Sequence, residues 1–137
     1  MAKIIKKPDL EKGKLIKPLA PLNEKITYPV FCFRYLHKDY HLNKCTDEEK
    51  RKLIEQIVIL SALTWGELQL APKHGLGSEK ISPQSIKASI PANYLSEDVN
   101  TLLAFRFDGK KPFVGFRNGF IFHVFYIDRD FSLYKHG

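Results

Sequence analysis

The spacing of apolar and polar positions changes along the chain and divides it into four stretches. Residues 1–25 carry seven lysines and three prolines without a regular apolar period, which predicts a basic flexible arm, either solvated or bound to a partner. Residues 26–36 are rich in aromatic and β-branched side chains, which predicts a strand, and Pro29 indicates an edge or a bulge. We expect residues 26–137 to form one α+β domain.

Two capping boxes predict the starts of two consecutive helices. In each box a threonine, Thr46 or Thr64, accepts a hydrogen bond from the amide three residues later, where a glutamate returns the bond. Apolar residues then recur at three- and four-residue spacing as far as Leu60, and Pro72 ends the second helix. The pattern predicts a helical hairpin or a kinked helix.

The C-terminal third alternates between strand and turn signals. Asp108-Gly109 and Asn118-Gly119 separate three apolar runs, and Asn-Gly is typical of a type I′ hairpin turn. We therefore expect a three-stranded antiparallel meander, with residues 131–134 extending it or lying across its end. The order of strand, helices and meander predicts an α+β fold with the helices on one face of the sheet.

A long connection, residues 72–100, lies between the helices and the meander. It contains a glycine-rich loop and two prolines, Pro83 and Pro91, which leave room for at most one short strand. Connections of this length are more often functional or mobile than idle.

The net charge of +7 and the isoelectric point near 9.4 favour an anionic partner, most commonly nucleic acid. Only two cysteines are present, no apolar run is long enough for a membrane span, and the N-terminus lacks a signal-peptide pattern. The sequence therefore predicts a cytoplasmic protein with reduced thiols and no membrane partner.

Thiols and imidazoles cluster between the first strand and the first helix, where Cys32, His37, His41 and Cys45 offer ligand types that zinc accepts. They lack a Cys-x-x-Cys pair, and a cysteine inside an apolar strand behaves as a small hydrophobic residue. We expect neither a metal nor another cofactor. A nucleophilic cysteine has less support than the zinc site, because Cys45 and His41 lack an orienting partner beyond Asp39 or Asp47.

The glycine-rich loop at residues 74–78 is a candidate for phosphate binding through backbone amides. It does not match a P-loop, and it follows a helix rather than a strand, so a plain connection is the expected reading. Lys73 and His74 stay candidates for contact with a polynucleotide phosphate.

Strand parity assigns the polar residues of the meander to faces. Arg106 is expected opposite Phe105 and Phe107, and Arg117 on the side of Phe113. These two arginines either form one patch or pair with the aspartates Asp108, Asp128 and Asp130. His123 is expected to share a side with Ile121, Phe125 and Ile127, as a core or edge histidine.

Cleavage of RNA by 2′-hydroxyl attack needs a proton acceptor, a proton donor and cations that bind the phosphate. Arginine suits the last role because its planar guanidinium binds phosphate oxygens in pairs. A basic meander that ends in Tyr134 and His136 supplies all three kinds of group.

The chain resembles the RelE/YoeB-type toxins of the RelE/ParE superfamily over about residues 26–136. The resemblance lies in the strand and helix order, in Phe105-Arg106-Phe107 and Gly115-Phe116-Arg117, and in the ending 127–134. It implies a metal-independent endoribonuclease that cleaves mRNA, often on the ribosome, and that an antitoxin binds. The positions that match the family's catalytic residues are Arg117, Arg129, Tyr134 and His136. The predicted RNA-binding residues are Arg106, Lys110, Lys111, Lys73 and His74.

Two features keep a second hypothesis open. Asp128 and Asp130 would repel phosphate unless Arg129 or Arg117 neutralises them, and toxins of related architecture poison DNA gyrase without a nuclease site. The alternative is a non-enzymatic module of phage or mobile-element origin, an inhibitor or accessory protein that binds nucleic acid or protein through the arm and the 72–100 connection.

Overall fold

The computed structural model describes residues 27–72, 75–91 and 101–136 and shows an α+β fold. The predicted arm, Lys73 and His74 lie outside these residues. The described residues form the elements β1 (Val30–Cys32), α1 (Asp47–Ser61), α2 (Trp65–Leu70), β2 (Glu79–Ile81), β3 (Leu102–Asp108), β4 (Lys111–Asn118) and β5 (Ile121–Ile127). None of the helices in these ranges is long and apolar enough to cross a membrane.

The five strands form one mixed sheet in the order β1-β5-β4-β3-β2. The predicted antiparallel meander of β3, β4 and β5 is confirmed. β1 lies at one edge, where it pairs in parallel with β5, and β2 pairs antiparallel with β3 at the other edge. β1 is shorter than the predicted strand 26–36 because the chain turns at Arg34–Tyr35.

Each face of the sheet is covered by a different part of the chain. The helices cover one face, which we call the helix face; its buried residues include Leu53, Leu60, Trp65, Phe105, Phe113 and Phe122. Loops and the C-terminal segment cover the other face, the loop face; its packed residues include Tyr35, Tyr40, Ile86, Val114, Phe125 and Tyr134. The helices therefore lie on one face, as predicted, and residues 131–134 lie across the opposite one.

Both predicted capping boxes are present. Thr46 accepts from the Glu49 amide and its own amide donates to Glu49 Oε1 at 2.7 Å. Thr64 and Glu67 make the same pair of bonds at the start of α2. Each box is a contact between residues three apart, so a short stretch of sequence is enough to predict it.

Both hairpin turns differ from the type I′ turn predicted at Asn118-Gly119. Asn118 pairs with Ile121, so the two turn residues are Gly119 and Phe120, and only Gly119 has a positive φ, at 64°. The other hairpin has the same pattern, with Gly109 at a φ of 60°. A glycine at the first central position alone is the requirement of a type II′ turn.

A β-bulge in β5 changes the parity expected for its side chains. Val114 pairs with Tyr126 and Gly115 with Val124, so Phe125 has no partner of its own. Phe125 and Tyr126 therefore both pack on the loop face, whereas Ile127 joins the helix-face core. The predicted grouping of His123 with Ile127 is wrong for this reason. Gly115 permits the close approach, since a Cβ there would lie 1.9 Å from the His123 carbonyl oxygen.

His123 is buried in the loop-face core, as expected. Its ring stacks on Phe116 and packs against Tyr35, and its Nδ1 has no hydrogen-bond partner among the described residues. Burial lowers the pKa of His123, which favours the neutral ring in the folded protein. A neutral histidine in this position contributes to packing.

Candidate nucleic-acid interface

A polar cleft lies where the C-terminal end of β5 meets two loops. It has a volume of about 650 Å³. We call it the basic cleft, and its lining residues are His37, Lys38, Asp39, Tyr40, Lys44, Lys87, Ala88, Ser89, Ile127, Arg129, Asp130 and Ser132. Four of these side chains are cationic and two are anionic, so the lining is positive overall. Such a cavity favours an anionic ligand.

Hydrogen bonds to backbone carbonyl groups hold the three segments of the basic cleft together. The His37 amide donates to the Phe125 carbonyl at 2.7 Å, which fixes the segment after β1 to β5. The Lys87 amide donates to the Leu133 carbonyl at 2.7 Å, which joins the described residues 75–91 to the C-terminal segment. The Tyr126 hydroxyl donates to the Ser89 carbonyl at 2.9 Å from below.

Two rings that line the cleft, His37 and Tyr40, pack against the buried ring of Tyr126. Tyr126 contacts His37 and Tyr40 with ring centroids 5.8 and 5.9 Å apart, and His37 and Tyr40 contact each other. Tyr126 is fully buried, whereas the other two rings are partly exposed to the cleft. The cleft therefore offers aromatic surface beside its cations, a combination suited to unpaired nucleotides.

A serine and a histidine form a hydrogen bond in the cleft, but its direction is the reverse of that in a nucleophilic serine–histidine pair. His37 Nδ1 accepts from the Asp39 amide at 3.0 Å, so the neutral ring carries its proton on Nε2. Nε2 lies 3.0 Å from Ser89 Oγ and donates to it. An imidazole that donates to the serine cannot accept its proton in this arrangement, so the pair serves to orient the two side chains.

Arg129 borders the cleft and is bonded to a buried carboxylate beneath it. Its Nε donates to Glu49 Oε1 at 2.8 Å, and Lys111 Nζ donates to Glu49 Oε2 at 2.8 Å. Burial raises the pKa of Glu49, but the bonds from Arg129, Lys111 and the Thr46 amide outweigh it and lower the pKa to about 2. Glu49 is therefore ionised throughout the physiological range.

Lys111, a predicted RNA-binding residue, is engaged by two carboxylates. Besides Glu49, its Nζ lies 3.4 Å from Asp108 Oδ2, and Asp108 also pairs with Lys52 at 3.1 Å. Lys110, its neighbour, is exposed in the β3–β4 turn. The structure thus separates two lysines that are adjacent in sequence, one in an ion network and one in solvent.

The structure does not bring Arg106 and Arg117 together, although they lie on neighbouring strands. Arg117 lies on the helix face, where its guanidinium carbon is 4.1 Å from the Trp65 ring centre and its Nε donates to Gly119 O. Arg106 alternates with Phe105 and lies on the loop face, near Tyr134. A single patch of these two arginines is excluded because the sheet separates them.

Tyr134 and His136 do not line the cleft. They pack against each other in the C-terminal segment. Tyr134 is buried and stacks on His136, whose Nε2 lies 3.3 Å from Asp128 Oδ2. Asp128 also accepts from the Ser132 and Leu133 amides. Burial, with the nearby carboxylates Glu79 and Asp128, raises the pKa of Tyr134 to about 12 despite Arg106. The phenol is therefore neutral, and it is not among the residues that line the cleft.

The residues of the suggested zinc site are used elsewhere. Cys45 is buried in the helix-face core, and burial raises the pKa of its thiol. His37 contacts Ser89, and His41 accepts from the Asn43 amide. Within the described ranges, no group of three or more side chains is arranged to hold a metal ion.

Arg129 is the one predicted catalytic residue that lines the basic cleft. The sequence reading missed Lys44 and Lys87 and considered His37 only as a zinc ligand. The one available signal for Lys87 was its place in the long connection, a segment type that often carries function. No family model matches the chain, and no curated protein or solved structure matches it.

Proposed function

We propose that the protein binds RNA, and that a single-stranded segment occupies the basic cleft. The observation that carries this proposal is the convergence of four cations and two aromatic rings on one cleft: Lys38, Lys44, Lys87, Arg129, His37 and Tyr40. Cations bind the phosphates and exposed rings stack on unpaired bases, which is how single-stranded nucleic acid is commonly held. The net charge of +7 adds attraction over a longer range.

The size and chemistry of the cleft support RNA over other polyanions. Its 650 Å³ lies within the range of pockets for small organic groups, so it suits individual nucleotides of a strand. Ser89, Ser132 and Tyr40 line it with hydroxyl groups. Such groups can donate to and accept from a ribose 2′-hydroxyl, the group that distinguishes RNA from DNA.

Removal of two cleft lysines is expected to weaken RNA binding. For Lys44→Ala/Lys87→Ala, we expect the affinity for a fluorescently labelled single-stranded RNA near 0.1 M salt to fall at least about tenfold. The loss of two phosphate contacts has an effect of this order of magnitude. The slope of log affinity against log salt should fall by about 1.4, since each contact with a single strand contributes roughly 0.7. Fluorescence anisotropy at several salt concentrations measures both quantities.

The matched control is Lys80→Ala/Lys110→Ala, which removes the same charge from exposed positions outside the cleft. It should retain most of the affinity, because it changes only the long-range attraction. Equal losses in the two double variants would contradict binding in the cleft and would indicate a general charge effect.

A second candidate function is the toxin-like endoribonuclease, with mRNA as substrate and an antitoxin as partner. It is favoured by the position of Arg129, a predicted catalytic residue, in the same cleft as the Tyr40 hydroxyl and His37. In this proposal Arg129 binds the scissile phosphate, and charge stabilisation by such a cation needs no metal. A binding module does not cleave RNA, whereas the nuclease does. The two candidates therefore differ in whether cleaved RNA is formed.

Induced expression in a bacterial culture separates the two candidates. The nuclease predicts growth arrest and new 5′ ends in total RNA for the wild type, with loss of both for Arg129→Gln because the scissile phosphate loses its cation. Arrest without new 5′ ends in the wild type would contradict the nuclease and favour inhibition by binding.

A further inference from the structure

We propose that Arg129 and Glu49 form a subsite for an RNA phosphodiester within the basic cleft, where Arg129 binds the phosphate through its two terminal nitrogens and Glu49 is its positioning residue. The inference rests on the proposed RNA binding and names the residue pair that recognises the backbone. Neither the charge pattern nor the capping box alone identifies this pair, because the two residues are 80 positions apart.

The geometry leaves the outer edge of the guanidinium available. A guanidinium has five N–H groups, and Arg129 uses the one on Nε to bond Glu49. Among the described residues, no acceptor bonds to either Nη of Arg129, and the side chain is 38% exposed in the cleft wall. The two Nη groups can therefore donate to two phosphate oxygens in the paired geometry that arginine favours.

Glu49 is itself fixed by three donors. Its side chain is 5% exposed and accepts bonds from the Thr46 amide, Lys111 and Arg129. The Thr46 bond belongs to the capping box, so the first turn of α1 sets the position of the carboxylate. A carboxylate held in this way restricts the rotamers of Arg129 and reduces the entropy that phosphate binding would otherwise cost.

Removal of Glu49 changes the RNA affinity in opposite directions, depending on whether its positioning role or its charge dominates. Glu49 is an anion close to the proposed phosphate, so through charge alone its removal would strengthen RNA binding. If its main effect is to orient Arg129, its removal weakens binding although the protein becomes more positive. The sign of the change therefore decides between the two roles.

The test compares Glu49→Ala with Glu67→Ala by anisotropy with a labelled single-stranded RNA. Both variants remove a capping-box glutamate and one negative charge, but Glu67 lies in the first turn of α2 and bonds Thr64, whereas Glu49 bonds Arg129 of the cleft lining. We expect Glu49→Ala to bind about five- to tenfold more weakly, the net scale of one ordinary hydrogen bond. Glu67→Ala should bind as the wild type does or slightly more tightly. Wild-type or tighter binding by Glu49→Ala would overturn the proposal.

A double variant shows whether Glu49 acts through Arg129. In the background of Arg129→Gln, removal of Glu49 should cause no further loss, because there is no guanidinium left to orient. A loss of the same size in both backgrounds would assign Glu49 a general structural role and would overturn the proposal. If Glu49→Ala does not fold, Arg129→Lys is the decisive variant, because lysine keeps the charge but lacks the planar guanidinium. If Arg129→Lys binds RNA with the affinity of the wild type, the subsite is overturned.

The form of the RNA distinguishes an internal phosphodiester from a terminal phosphate. Strands of equal sequence with a 5′-hydroxyl and with a 5′-phosphate should lose affinity equally in Glu49→Ala. A loss confined to the 5′-phosphorylated strand would overturn the assignment to a phosphodiester. A wild-type protein that binds neither strand would contradict RNA binding itself, whereas wild-type binding with an unaffected Glu49→Ala would contradict only the subsite.

Discussion

Substitution of Trp65 by alanine is expected to lower the free energy of unfolding by about 4 kcal/mol, the usual scale for loss of a buried tryptophan. Trp65 is 1% exposed and packs against Phe105 and Phe122. Its backbone amide donates to Thr27 O and its indole to Phe120 O, so it joins α2 to the approach to β1 and to the β4–β5 hairpin. Alanine leaves a cavity and removes the indole bond together.

Trp65→Phe separates the two contributions. It retains most of the apolar surface and loses the indole bond to Phe120 O, so we expect a smaller loss, of about 1–2 kcal/mol. Because Trp65 is the only tryptophan, urea unfolding should be followed by far-UV circular dichroism rather than by tryptophan fluorescence. RNA affinity of the folded variants should not change, since Trp65 lies outside the basic cleft. A loss under 1 kcal/mol for Trp65→Ala would contradict the packing described here, given the usual cost of such a cavity.

Acid should remove the stabilisation that ionised Glu49 provides. The pKa of Glu49 falls from 4.5 to about 2 on folding. A lowered carboxyl pKa stabilises the folded state above the unfolded pKa, and this contribution disappears as the pH falls from about 5 towards 2. The shift corresponds to up to about 3 kcal/mol, at roughly 1.4 kcal/mol per pKa unit.

The comparison of the wild type with Glu49→Gln separates the contribution of Glu49 to the pH dependence of stability from that of the other carboxyl groups. Asp128 has the opposite tendency, because burial raises its pKa despite bonds from the Leu133 and Ser132 amides and His136. Urea unfolding of both proteins between pH 7 and pH 2.5 gives the difference in stability at each pH. That difference should shrink as the pH falls, because glutamine does not titrate. A constant difference over the whole range would contradict the coupling between Glu49 and its cationic partners.

Local features of the fold were predictable from the sequence. The two capping boxes, the meander and the helical coverage of one face follow from short-range spacing and were predicted. The bulge at Phe125 was not, because it depends on pairing with Gly115 of another strand. The parallel pairing of β1 with β5 also joins residues some 90 positions apart, for which a single sequence contains no signal.

The candidate site was less predictable than the fold. Arginines on adjacent strands suggested one patch, but parity places Arg106 and Arg117 on opposite faces. The cleft combines His37, Lys87 and Arg129, which come from three distant segments. Lys111 and Arg129 carry equal charges and both donate to Glu49, but only Arg129 lines the cleft, which the sequence does not show.

The most direct test of RNA binding in the basic cleft is to map where RNA touches the protein. A single-stranded RNA that contains 4-thiouridine can be crosslinked by light to the wild-type chain, and the modified peptides identified by mass spectrometry. RNA binding in the basic cleft predicts crosslinks in residues 37–44, 87–89 and 129–132, the segments that line it. Crosslinks confined to α1, α2 and β2, with none in these three segments, would contradict it.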